Sequence, residues 1–281
     1  MQPLKLINTI PIFEEVQQEL IKLLASLTKK EWNSPTISTQ WNVKDVAAHL
    51  LDGDLRRLSI HRDHHELPPP EEPIRDYTSL VNFLNAVNNE WVRAAKRLSP
   101  KLIIELTEFL TPKVMEHLKN LDPKGRAKFS VDWAGEEQSE NWFDIAREYT
   151  EKWHHQQQIR EAVGRPNLVE KKWLEPLIDT LIRGVPPVYD RHAGNISGES
   201  VLIHVTEVID DTWLLVNQGS EWKLYKAEAD DAAGTEVSMD DDTAWRIFTK
   251  NISESEALNR ITVKGNEDLG ALITKTVSFM K

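Results

Sequence analysis

The sequence predicts a mainly α protein with a small α+β part at its C-terminal end. Three observations carry that expectation. Up to about residue 183, apolar residues recur at helical spacing in long segments separated by polar breakers. Beyond Gly184, short runs rich in Val, Ile, Leu and Trp alternate like strands and are followed by helical segments, the order of an α+β domain. Between the two lies a stretch marked by Gly184, Pro186, Pro187, Gly194 and Gly198, which places a domain boundary there: 1–190 helical, 191–281 α+β.

In chain order, Pro11 to Lys30 carries Ile12, Phe13, Val16, Leu20, Ile21, Leu23, Leu24 and Leu27, the wide apolar face of a bundle helix. Trp32 to Gln40 reads as a loop. Asn42 then looks like an N-cap, with Asp45 three residues on completing a variant of the capping box. The helix it opens should run from Val43 to about Asp63. His61 to Pro73, with Pro68-Pro69-Pro70, must be a break. Tyr77 to Leu98 is a further helix with Leu80, Phe83, Leu84, Val87, Trp91 and Ala94 on one face. Leu102 to Leu121 is helical with an interruption near Pro112, and Ala127 to Trp133 suits a short strand or extended arm. Asn141 opens a helix that Gly164 and Pro166 stop, and Trp173 to Arg183 forms another, closed by Gly184. The α+β part should contain strands at Ser200–Val205, Asp211–Val216, Glu221–Tyr225, Gly234–Met239 and Ile261–Gly265. Helices should follow at Asp241–Lys250 and Asn266–Met280.

Composition narrows the function. The 281 residues carry a net charge of -11, which argues against generic nucleic-acid binding, because that affinity rests on cations meeting phosphates. There is no cysteine, so disulfides, thiolate nucleophiles and Cys-ligated zinc are excluded, and any metal must sit on His, Asp or Glu. No apolar run is long enough for a membrane helix and no secretory signal is visible, so the cytoplasm is the default setting. The ten tryptophans suit core and cleft walls.

The chemistry-bearing stretch lies in the helix after Asn141. Glu151 and His155 stand four apart and share one helical face, a carboxylate and an imidazole that suit one divalent ion such as zinc, nickel or iron. Upstream, His49 sits at the edge of the buried stripe formed by Val46 and Leu50 and faces inward. Alone it reads as a core histidine. The cluster His61, His64, His65 and Glu66 offers further donors, but no apolar positions frame it and it reads as a solvated loop edge. His154 belongs to another side of its helix, as packing or surface. Arg56 and Arg57 could meet an acidic substrate, although a solvated face is their simpler role.

Taken together, Trp41-Asn42-Val43-Lys44-Asp45-Val46-Ala47-Ala48-His49-Leu50 and Glu151-Lys152-Trp153-His154-His155, the latter followed by Arg160-Glu161-Ala162-Val163-Gly164, resemble the DinB/YfiT-like superfamily. Within it the chain is most similar to the mycothiol-dependent maleylpyruvate isomerase group, and the resemblance covers nearly the whole chain. It implies a DinB-like four-helix bundle followed by a small α+β sterol-carrier-like domain, with Gly198 to Phe279 in the matching order. It implies His49, Glu151 and His155 as ligands of a divalent metal, zinc first, and a low-molecular-weight thiol cofactor such as mycothiol or bacillithiol. A homodimer is a further implication by analogy. Two departures stand out: Gln158 occupies a position where family members often have Asp, and Lys250-Asn251 stands where a Gly-Arg pair often supplies an anion-binding arginine.

Three functions follow. A thiol-dependent isomerase or transferase would act on a small electrophilic substrate through a metal-held thiolate. A hydrolase would use metal-activated water at the same ligands. A non-enzymatic protein would hold a small ligand in its C-terminal domain.

Overall fold

A computed structural model describes residues 1–70, 73–194 and 198–278. Residues 71 and 72 of the expected proline-rich loop, and 279 and 280 at the end of the expected last helix, lie outside the described residues. The chain is mainly α with an α+β C-terminal part, as its patterning predicts. In order it forms β1 (Gln2–Pro3), α1 (Ile10–Ser26), α2 (Val43–Arg56), α3 (Tyr77–Ala95), α4 (Pro100–Lys119), α5 (Asn141–Ala162), α6 (Lys171–Leu181) and α7 (Val185–His192). There follow β2 (Ser200–Thr206), β3 (Asp211–Asn217), β4 (Trp222–Lys226), β5 (Thr235–Asp240), α8 (Asp241–Phe248), α9 (Glu254–Arg260), β6 (Thr262–Lys264) and α10 (Glu267–Ala271). Among the described residues, no helix is long and apolar enough to cross a membrane.

Backbone contacts group these elements into two compact units. One gathers Thr9–Lys128 and Glu151–Leu168, the other Met1–Asn8, Phe129–Thr150 and the chain from Val169 onward. The expected division at 1–190 and 191–281 concerns modules in sequence; packing divides the chain elsewhere. It assigns β1, α6, α7 and the first half of α5 to the sheet-bearing unit.

In the helical unit, α1 packs on α4, and α2 packs on both α3 and α4. Phe13, Val16, Leu20 and Leu24 of α1, and Ile103, Leu110, Val114 and Leu118 of α4, are the buried stripes of these two helices. The capping box at the start of α2 is present: the Asn42 side chain accepts from the Asp45 N–H at 3.0 Å, and the Asp45 carboxylate accepts from the Asn42 N–H at 3.3 Å. Beyond Arg56 the helix widens into a π-helical turn, Arg57–Arg62, so the expected long helix to Asp63 is realised in two geometries. The expected interruption of α4 does not occur. Pro112 lies on its exposed side, where the carbonyl that loses its N–H partner is free to meet water. Gly164 ends α5 at φ 64°, with the Arg165 N–H closing on the Arg160 carbonyl at 2.8 Å, a left-handed cap that glycine takes without steric cost.

The sheet-bearing unit holds six strands in the order β1-β4-β3-β2-β5-β6. The β2–β5 pair is parallel and the others antiparallel. Ile203 stands opposite Trp213 on one side and Val237 on the other. One face of the sheet buries Val201, Ile203, Val205, Leu215, Val237 and Met239, and the residues alternating with them along β5 are half-buried. Three elements were not foreseen. For α7, Pro186 and Pro187 read as a stop, whereas proline also fits the first turn of a helix. The α9 start carries Ser253, whose side chain accepts from the Glu256 N–H, a legible capping pattern. β1 is two residues of edge pairing without sequence signal. Conversely, residues 127–133 form no strand, and the last helix is only α10 followed by a 3-10 turn, Leu272–Lys275.

Candidate metal centre

The site is built where α2 meets the C-terminal half of α5. Along α5, Tyr149, Lys152, Gln156 and Ile159 recur at spacings of three and four, so this stripe is buried although two of its members are polar. Lys152 donates to the Leu50 carbonyl at 2.9 Å and to Asp54 Oδ1 at 2.7 Å. Gln17 of α1 donates to Asp54 Oδ2 at 2.9 Å. Gln156 donates to the Val16 carbonyl at 2.9 Å. These buried bonds tie α1, α2 and α5 in one register, and that register brings His49 of α2 opposite Glu151 and His155 of α5.

One donor atom from each of His49, Glu151 and His155 lies within 4.8 Å of the others, the only such three-residue group among the described residues. His155 Nε2 is 3.4 Å from Glu151 Oε2, and the His49 and His155 rings stand edge to face at 4.8 Å. His49 Nδ1 is buried and has no hydrogen-bond partner among the described residues. An orphaned buried polar atom costs about 1–3 kcal/mol unless something beyond the chain takes it up, which is what a metal ion would do. Burial, chiefly, with the nearby His155, Arg56 and Lys152, pushes the His49 imidazole well below its ordinary value of 6.5. The ring is therefore neutral at physiological pH, the state that ligates. Two imidazoles and one carboxylate form a donor set suited to zinc, nickel or iron.

The surroundings are aromatic on one side. Trp41 stands 5.0 Å from the His49 ring and donates to Asn89 Oδ1 at 3.3 Å, and Trp91 of α3 donates to the Ala48 carbonyl at 2.7 Å. On the other side His155 Nδ1 is 2.9 Å from Gln158 Oε1, and Gln158 Nε2 is 3.1 Å from His154 Nε2.

The structure thus brings together all three expected ligands. His154 is fully buried beside His155, which resolves its two expected roles in favour of packing. Arg56 is half-buried and paired with Asp52 at 2.9 Å, while Arg57 is buried with its guanidinium 3.0 Å from His61 Nδ1, so Arg57 is not on a solvated face. His64, His65 and Glu66 are exposed and apart from the ligand group. Sequence reasoning missed the Lys152–Asp54 pair, although the spacing of the α5 stripe already placed Lys152 inside. It also missed that Lys250 holds a left-handed backbone at φ 56°, the conformation a glycine would adopt there.

Two histidines and one glutamate converging from two helices of a helical unit occupy the kind of place where helix bundles can hold a ligand set in the core. The particular family follows from comparison. Residues 13–160, more than half the chain, match the mycothiol maleylpyruvate isomerase N-terminal domain family, and the chain belongs to that family. Two crystal structures of mycothiol-dependent maleylpyruvate isomerase share the fold. One, of a histidine-to-alanine mutant, has a TM-score of 0.54 at 12% identity, covering 94% of this chain and 96% of that one. The other has a TM-score of 0.53 at 13% identity, covering 88% and 91%. A UbiJ-SCP2 ubiquinone synthesis protein aligns over 35% of this chain and 95% of its own at 16% identity, with a TM-score of only 0.25. A comparison with curated proteins finds no match.

Proposed function

We propose that this protein is a metal-dependent enzyme that uses a low-molecular-weight thiol to isomerise or transfer to a small electrophilic substrate, with His49, Glu151 and His155 as the metal ligands. The observation that carries the reading is the convergence of these three residues, beside a buried His49 Nδ1 that meets no hydrogen-bond partner among the described residues, in a member of this family. A bound zinc ion would supply a positive charge that lowers the pKa of a coordinated thiol, giving thiolate at neutral pH. The chain's own residues prepare for that. Burial keeps the His49 ring neutral and available. Lys152, held by Asp54 and the Leu50 carbonyl, fixes α5 against α2. Trp41 covers one side of His49 and limits water there.

The two solved relatives are described as mycothiol-dependent maleylpyruvate isomerases, and mycothiol or bacillithiol is the proposed cofactor class here. Maleylpyruvate itself is not proposed. Asn251 is buried and donates to Thr249 Oγ1 at 2.9 Å where the family's arginine would offer a cation. The reading includes a reducing cytoplasmic setting, in which such thiols persist. A homodimer is proposed by analogy alone.

The test is metal content of untagged protein by elemental analysis, beside His155→Ala, followed by turnover of model electrophiles with and without each thiol. About one equivalent of zinc per chain is expected, lost in the variant. Turnover should require thiol. Metal-dependent turnover without thiol would replace the reading with a hydrolase. Absence of metal in both proteins, with none taken up on reconstitution, would end both enzymatic readings and leave a ligand-binding module.

A further inference from the structure

The geometry points to Gln158 as a positioning residue that fixes the tautomer of His155, and with it the nitrogen that His155 presents to Glu151 and His49, without adding charge to the site. The inference rests on the metal reading above for its function, but not for its geometry. Gln158 is 3% exposed, and its amide makes two contacts of opposite character. Its oxygen, which can only accept, lies 2.9 Å from His155 Nδ1. Its nitrogen, which can only donate, lies 3.1 Å from His154 Nε2. His154 therefore holds a lone pair at Nε2, and His155 carries its proton at Nδ1. A neutral imidazole has one N–H, so a ring protonated at Nδ1 offers Nε2 as its donor atom. Nε2 stands 3.4 Å from Glu151 Oε2.

With the Gln158 amide in this orientation, the opposite tautomer would turn an N–H toward Glu151 but set the Nδ1 lone pair against the Gln158 oxygen, an unfavourable contact in a buried place. The amide thus does for this histidine what a carboxylate or backbone carbonyl does behind many metal-bound histidines. It differs in one respect: a carboxylate would add a negative charge beside the ligands, and the amide does not. The site keeps the single charge of Glu151, which leaves a divalent ion a net positive charge and more of its power to polarise what it binds.

The experiment compares wild type with Gln158→Met, which keeps the volume and removes the acceptor, and Gln158→Glu, which keeps the acceptor and adds charge. Zinc affinity is read by competition with a fluorescent chelator. The His155 tautomer is read in metal-free protein by long-range proton–nitrogen NMR, at about pH 8, above the ordinary imidazole range. In wild type and in Gln158→Glu, His155 should be protonated at Nδ1. In Gln158→Met that preference should be lost and zinc affinity should fall ~10–100-fold with unchanged stoichiometry, the usual cost of losing an outer-shell partner. Gln158→Glu should bind zinc at least as tightly as wild type. Protonation of His155 at Nε2 in wild type overturns the inference, as does Gln158→Met binding zinc like wild type. Should Gln158→Met fail to fold, weaker zinc binding by Gln158→Glu overturns it instead. A wild type that takes up no zinc sinks the metal reading, while the tautomer measurement on the same sample still decides this one.

Discussion

The buried C-terminal half of α5 and the central strands of the sheet are both sequestered from water, and they are built from opposite materials. Nine successive residues, Lys152 to Arg160, are buried, and only Trp153 and Ile159 among them are apolar. On β2, four of seven residues are buried apolar ones: Val201, Leu202, Ile203 and Val205. The strand needs only alternation and neighbours of suitable volume, because apolar burial is non-directional. The helix needs a partner for each polar atom. Lys152 has Asp54 and the Leu50 carbonyl, Gln156 has the Val16 carbonyl, and Gln157 bonds the Leu168 N–H and the Trp153 carbonyl. Arg160 donates to the Pro166 carbonyl and pairs with Glu19 at 3.5 Å. Such a network stabilises less than an apolar core of equal size but fixes one register, and it is the register that aligns His49 with Glu151 and His155.

That contrast can be broken where it is largest. Lys152→Met removes the buried ammonium that Asp54 Oδ1 meets at 2.7 Å and is expected to cost about 3–5 kcal/mol in urea unfolding. Adding Asp54→Leu to Lys152→Met should cost less than the two single changes summed, because both remove the same ion pair. In the sheet, Ile203→Ala should cost about 2–5 kcal/mol through a cavity, with no rescue by a distant partner. If the double variant costs as much as the two single changes summed, the Lys152–Asp54 pair is not the tie between α2 and α5 that its geometry indicates.

A smaller effect sharpens the comparison through pH. His49 titrates well below 6.5 in the folded metal-free protein, whereas the unfolded chain takes a proton near the ordinary value. Well above 6.5 both states are neutral and His49 contributes no pH dependence. As pH falls from 6.5 toward the depressed folded value, the unfolded state binds the extra proton, so stability drops by up to about 1.4 kcal/mol per pH unit. His49→Gln in metal-free protein should flatten the fall of Tm between neutral and mildly acid pH. An unchanged slope would show that the imidazole is not held neutral.

The smallest effect belongs to the sheet-bearing unit, where a cost lies in the backbone rather than in buried charge. Lys250 ends α8 at φ 56°, with the Lys250 N–H on the Ile247 carbonyl at 3.1 Å and the Asn251 N–H on the Arg246 carbonyl at 2.8 Å. Its side chain is exposed, so Lys250→Gly removes mainly the left-handed strain and should raise stability by up to about 1 kcal/mol, read as a small increase in Tm. A decrease would mean that the lysine side chain contributes more than its conformation costs.

Much of this was legible in one dimension. Asn42 and Asp45 announced the start of α2, Gly164 and Pro166 the end of α5, and the spacing of Glu151 and His155 put two donors on one face, because capping and helical period are local properties of the chain. Local rules mislead where one residue type has two uses. Pro186 and Pro187 open α7 rather than only closing what precedes, and Pro112 sits within α4 because its side of the helix is exposed.

The sequence by itself determined the class of the fold, most of its helices and strands, and three candidate donors. Only the tertiary structure decided that His49, far upstream on α2, stands opposite the other two and that its Nδ1 meets no hydrogen-bond partner among the described residues. The reason is physical. Periodicity tells which face of a helix is buried, but the register between two helices is set by a few directional bonds deep in the core, here those of Lys152, Asp54 and Gln17, and such pairings appear only once the chain has folded.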